Sequence, residues 1–168
     1  MSSEQQLTNW CSKYPWFAGV FAADELPDHT TLPRSAAIIV NYLKRDEAGG
    51  RVGHWVAIGR INDPAHPPFW CDSFGFGPSE LDAILNVSQT DFKAWMEHLG
   101  PYVTNTERFQ CIKSDFCGQY ACWAVKCNAP PQTSTGAIRP CWRPVFDSQG
   151  VCERSDAAIQ RLVKLSNV

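Results

Sequence analysis

No stretch of the 168-residue chain approaches the about 20 consecutive apolar residues that a membrane-spanning helix needs. The opening ten residues, MSSEQQLTNW, hold no apolar signal core either. The chain is therefore expected to be intracellular, without a membrane span and not secreted. An excess of charge of one sign is also missing. Fifteen Lys and Arg stand against 17 Asp and Glu, and the basic residues are scattered singly, so there is no field to hold a polyanion and nucleic acid is not indicated as a partner. There is no low-complexity run and no repeat at solenoid spacing. With 44% hydrophobic and 19% charged residues, residues 1–168 read as one globular domain with a core of its own.

What the chain does have is eight cysteines. Without a secretory signal the expected compartment is reducing and the thiols should stay free, so each cysteine must serve packing, metal binding or nucleophilic chemistry. Cys122, Cys127, Cys141 and Cys152 fail as a zinc set because Cys122 and Cys127 lie off the short CxxC spacing. Neither a metal nor a cofactor is expected.

Residues 1–14 carry little pattern, and Pro15-Trp16-Phe17-Ala18-Gly19 looks like the first ordered turn. The short β-branched run Ala36 to Val40 reads as a buried strand. A glycine-bearing charged loop separates it from His54-Trp55-Val56-Ala57-Ile58-Gly59, and Asn-Asp-Pro and Pro-Pro punctuation precedes Phe69-Trp70-Cys71-Asp72. Two neighbouring antiparallel strands fit, His54 opening one and Asp72 closing the other. Ser79 can cap a helix through Leu85, and Ser88 or Thr90 another to His98. A strand is expected over Tyr102 to Ile112. Ser114 or Asp115 then caps a helix whose Cys117, Tyr120, Ala121, Ala124 and Val125 share one face. Residues 129–152 read as an irregular excursion and 155–165 as a closing amphipathic helix, which completes an α+β layout.

Cys117 falls in the first turn of its helix, where exposed backbone N–H groups favour the thiolate that a thiol needs for nucleophilic work. Gly118 beside it leaves room for a substrate backbone. An imidazole must take the thiol proton and later deliver it to a leaving amine, with a carboxylate orienting the ring. His54 and Asp72, at facing strand ends, fit those roles, with Asn41 or Asp63 as alternatives to Asp72. Gln110, seven residues before Cys117, offers a neutral amide to a developing oxyanion alongside the Cys117 N–H. Singly, each residue has a plainer reading: a small buried hydrophobe, a satisfied strand-end histidine, a turn aspartate. It is their combination that points to chemistry.

The strings Gly53-His54-Trp55-Val56-Ala57, Asp72-Ser73-Phe74-Gly75-Phe76 and Gln110-x6-Cys117-Gly118 give the chain its family likeness: in order and near spacing it resembles the adenovirus endopeptidase (adenain) group, which shares a clan with the SUMO-specific proteases. The likeness runs over about residues 15–127. It implies a papain-like-superfamily fold, with a central mixed or antiparallel sheet flanked by helices and the nucleophile at a helix N-terminus. It also implies catalytic His54, Asp72 and Cys117, Gln110 in the oxyanion hole, and Trp55 and Gly118 near substrate. The implied activity is endopeptidase cleavage near glycine in viral precursor proteins during particle maturation, in the host cell and the virion. Two departures stand out. The acid is Asp72, where the adenoviral enzyme has glutamate and the SUMO proteases aspartate, which points to another DNA virus or virus-like element. No cysteine precedes Gln110 at the place where the adenoviral enzyme links its activating peptide, so the peptide and DNA cofactors do not carry over, although an activating peptide stays open as a partner. The alternatives are an isopeptidase acting on ubiquitin-like modifiers and a non-catalytic interaction domain that keeps the fold.

Overall fold

Strands β2 (Ala36–Asn41) and β3 (Trp55–Arg60) are apolar at almost every position and buried along nearly their whole length. Strands of that kind must be covered on both faces, and their side chains divide by parity. The even-numbered Ala36, Ile38, Val40, Val56 and Ile58 enter one cluster, and the odd-numbered Ala37, Ile39, Trp55 and Ala57 enter the other. The computed structural model describes residues 2–47, 53–105, 108–111, 113–127 and 156–161.

The two strands are the centre of a five-stranded mixed sheet of order β1-β2-β3-β4-β5, completed by β1 (Phe17–Ala22), β4 (Phe69–Cys71) and β5 (Val103–Thr104). Both outer pairs, β1 with β2 and β4 with β5, are parallel, whereas β3 runs antiparallel to its neighbours β2 and β4. One face is covered by α1 (Glu4–Cys11) and α4 (Cys117–Cys127), the other by α2 (Pro78–Leu85) and α3 (Thr90–Leu99). The chain is thus α+β, a mixed sheet flanked by helices. Among the described residues no helix is long and apolar enough to cross a membrane.

The strands around His54 and Asp72 form as the sequence suggests, and so do helices α2, α3 and α4 to within a residue or two at their starts. Three expectations need correction. The N-terminal segment is not patternless. Ser3 and Gln6 form a capping box, with the Gln6 N–H donating to Ser3 Oγ at 3.2 Å and the Ser3 N–H to Gln6 Oε1 at 2.9 Å, and it starts α1. The long strand expected over Tyr102 to Ile112 shrinks to Val103–Thr104. Its partner β4 has only three residues, and the N–H groups of Phe109 and Gln110 turn instead to the Ser73 carbonyl, at 2.8 and 3.0 Å. Finally, Cys111 and Cys127 are each engaged in a disulfide, while Cys11, Cys71, Cys117 and Cys122 are free. A chain's linear order carries no record of which sulfurs folding brings within bonding distance, so free thiols at those two positions were not a safe expectation.

The excursion over 129–152, with Cys141 and Cys152, lies outside the described residues. Of the closing segment, 156–161 is helical. It is tied to α4 by Tyr120, whose hydroxyl donates to Asp156 Oδ1 at 2.8 Å, and by fully buried Ile159 beside Phe109 and Tyr120.

Candidate active site

The hairpin topology does the first part of the assembly. His54 is the residue before β3 and Asp72 the residue after β4, and the antiparallel register that pairs Ala57 with Cys71 sets the entrance of one strand beside the exit of the other. His54 Nε2 is in close hydrogen-bond contact with Asp72 Oδ1. Helix α4 crosses the same sheet face, with Ala121, Cys122 and Val125 packed among Ala37, Ile39 and Ala57, and brings its first residue, Cys117, near enough to act on the titration of His54. Because Nε2 is held by Asp72, Nδ1 is the ring nitrogen left to face the thiol. All three groups are buried: His54 is 6% exposed, Asp72 0% and Cys117 4%.

Two opposing effects act on the imidazolium. Burial pushes it towards the neutral form. Hydrogen bonds to Asp72 and Cys117, and the negative charge that each carries when ionised, outweigh that and raise the His54 pKa to about 10. At neutral pH the ring is accordingly an imidazolium.

Every polar atom of Asp72 that can bond does so. Oδ1 meets His54, and Oδ2 accepts the Phe76 N–H at 2.8 Å. The Asp72 N–H donates to Asn105 Oδ1 at 2.9 Å, while its carbonyl accepts Asn105 Nδ2 at 2.5 Å and the Gly75 N–H at 3.0 Å. The last of these closes a turn that Gly75 allows through its φ of +78°. Asp72 therefore serves both the turn and the histidine, two readings that stood as alternatives in the sequence. Asp63 is engaged elsewhere, with His66 Nδ1 at 2.9 Å, and Asn41 Oδ1 accepts the Leu43 N–H at 3.2 Å. Neither of them is the partner of His54.

Gln110 is 1% exposed, and its side chain is fixed at both ends. Ser73 Oγ donates to Oε1 at 2.5 Å, and Nε2 donates to the Ser114 carbonyl at 2.7 Å. It is thereby held on the segment that leads into α4.

The chain matches no family model, and it matches no characterised protein in sequence. The likeness to the adenain group rests on the motif strings alone, and the geometry of the site has to carry the rest.

Trp55 and Gly118, expected near substrate, sit at the junction of α1 with α4. Trp55 is buried in the core, with its indole N–H donating to the Ser2 carbonyl at 3.0 Å. A Cβ on Gly118 would lie 2.7 Å from Ser2 Cβ and Oγ and 2.9 Å from Leu7 Cδ2. The space left by the missing side chain is thus filled by α1 and the residue before its cap, which is what the structure shows for this glycine in place of an open approach for substrate.

Sequence reasoning missed three neighbours of the site. Phe74 stacks on His54 with ring centroids 5.1 Å apart and planes 23° from parallel, so an apolar face covers the imidazole. Asn105 clamps the Asp72 main chain, and Ser73 holds Gln110. The Asp72-Ser73-Phe74 string put Ser73 and Phe74 beside the acid, but nothing in it says that a serine hydroxyl reaches residue 110 or that residue 105 folds back onto residue 72.

Proposed function

We propose that the protein is a cysteine peptidase of the papain-like superfamily, with Cys117 as nucleophile, His54 as proton carrier, Asp72 as its orienter and Gln110 in the oxyanion hole. The observation that carries the reading is the buried His54–Asp72 pair at the ends of two paired strands, with the buried thiol of Cys117, first residue of a helix, among the groups that raise the titration of His54. A triad is recognised by such geometry and roles.

In this reading the Cys117 sulfur attacks the carbonyl carbon of the scissile peptide bond, and the π electrons move to the carbonyl oxygen. That charge is met by the Cys117 N–H, which at a helix N-terminus has no intrahelical acceptor, and by Gln110 Nε2. His54 gives its proton to the amine as the C–N bond breaks, leaving a thioester on Cys117. A water then attacks the thioester, His54 takes the water's proton, and the acid departs with the thiolate restored.

The substrate class comes from the resemblance: peptide bonds near glycine in precursor proteins of a DNA virus or virus-like element, cut during particle maturation. Hydrolysis of glycine-containing peptides under reducing conditions favours that class, whereas reaction with a ubiquitin-like vinyl sulfone probe favours an isopeptidase. Activity is expected across neutral pH, falling on the acid side as the imidazolium–thiolate pair is broken.

The decisive test needs no substrate. Brief alkylation with limiting iodoacetamide at pH 6, mapped by mass spectrometry, should modify Cys117 well ahead of the other cysteines, and His54→Ala should remove the lead. If the free cysteines react alike in the native protein, the catalytic reading is wrong.

A further inference from the structure

We propose that Ser73 is a positioning residue for the oxyanion donor, its hydroxyl holding Oε1 of the Gln110 carboxamide while the Ser114 carbonyl fixes Nε2 at the other end. This inference rests on the peptidase reading above.

A carboxamide is almost the same shape at its two ends, so only its partners decide which end carries oxygen. At one end stands the Ser114 carbonyl, which can only accept, and this fixes Nε2 there at 2.7 Å. Oε1 is then left facing Ser73, 2.5 Å from a hydroxyl that is able to donate. Reversal would set two acceptors against each other at Ser114 and turn the amide oxygen toward the position of the developing anion. Nε2 carries two hydrogens, and the bond to Ser114 uses one of them. The second is the donor that an oxyanion needs, and it exists at that place only while the amide keeps this orientation.

Ser73 is well placed to enforce it. The residue is 2% exposed, and its own carbonyl accepts the N–H groups of both Phe109 and Gln110, at 2.8 and 3.0 Å. Being the residue directly after Asp72, it ties the oxyanion donor to the strand end that carries the acid. With the hydroxyl removed, Oε1 has a buried lone pair and no donor, and the carboxamide loses one of the two contacts that hold it in place.

The test separates a step that builds an oxyanion from one that does not. Acylation of Cys117 by the p-nitrophenyl ester of N-benzoylglycine passes through a tetrahedral oxyanion: the S–C bond forms, the C–O bond breaks, and p-nitrophenolate leaves. Alkylation by iodoacetamide is a direct displacement of iodide by sulfur and forms none. Each rate is measured on wild-type, Ser73→Ala, Ser73→Thr and Gln110→Ala proteins, with the rate of Cys117→Ala subtracted. Ser73→Ala is expected to slow acylation about tenfold, part of the about 10²–10³ that a whole donor is worth, and to leave alkylation unchanged. Ser73→Thr, which keeps the hydroxyl, should restore acylation. A parallel fall in both rates overturns the proposal in favour of a general structural role. So does unchanged acylation in Ser73→Ala when Gln110→Ala is slowed. Unchanged acylation in Gln110→Ala removes the oxyanion assignment itself, and a wild-type protein no faster than Cys117→Ala with either reagent removes the peptidase reading.

Discussion

At the scale of single residues, the site depends on how much its neighbours do for His54. Burial alone would empty the ring of its proton, and the bonds to Asp72 and Cys117 reverse that, raising the group to about 10. Asp72→Asn keeps the size of the side chain but removes its charge. The His54 titration, followed by imidazole proton NMR, should then move down from about 10 towards the ordinary histidine range of about 6.5, and the alkaline limb of activity should move down with it. A titration left near 10 in that variant means that Asp72 does not hold the proton. Phe74 works the other way, since by covering one face of the ring against water it belongs to the burial that favours the neutral form.

At the scale of elements, the site depends on how closely α1 approaches α4. Gly118 allows that approach, and Ser2 uses it to reach Trp55 and Gln119, whose Oε1 accepts the Ser2 hydroxyl at 3.0 Å. In Gly118→Ala the new methyl either strains against Ser2 and Leu7 or displaces Ser2 from these bonds. Alanine gains about 0.5–1 kcal/mol as a better helix former, but overpacking costs about 1–3 kcal/mol, so net destabilisation of roughly 1–2 kcal/mol is expected. The urea midpoint should fall, and an unchanged or raised midpoint would show that the junction yields freely. The hairpin of β3 and β4 and the helix carrying Cys117 were both legible in the sequence, because short continuous apolar runs and proline punctuation fix strands locally. Helix α1 has its signal in the Ser3–Gln6 capping box, but its apolar stripe is thin, with Leu7 and Cys11 its only buried residues, so periodicity does not reveal it.

At the scale of the whole molecule, the proton on His54 links the site to stability. In the unfolded chain this histidine loses its proton near pH 6.5, while in the folded protein it keeps it to about pH 10. Between these values the native state binds more protons, so stability falls as pH rises. The contribution is complete below pH 6.5 and gone above about 10. Urea unfolding of wild-type protein at pH 7 and pH 10, set against His54→Ala to remove the part due to other groups, should show a loss with rising pH that the variant lacks. Equal pH dependence in the two proteins would contradict the raised titration.

By itself the sequence determined the candidate residues His54, Asp72, Gln110 and Cys117, the strands and helix beside them, and the α+β class. Those follow from local periodicity, caps and breakers acting within a few residues. Only the tertiary structure decided which acid meets His54, that Asn105 clamps the Asp72 backbone, that Ser73 holds Gln110, and that Gly118 receives Ser2. Each of these is a contact between positions about 18 to 116 apart in the chain. Such pairings come from strand register and from helix packing on a sheet face, and neither is written in the pattern of any single segment.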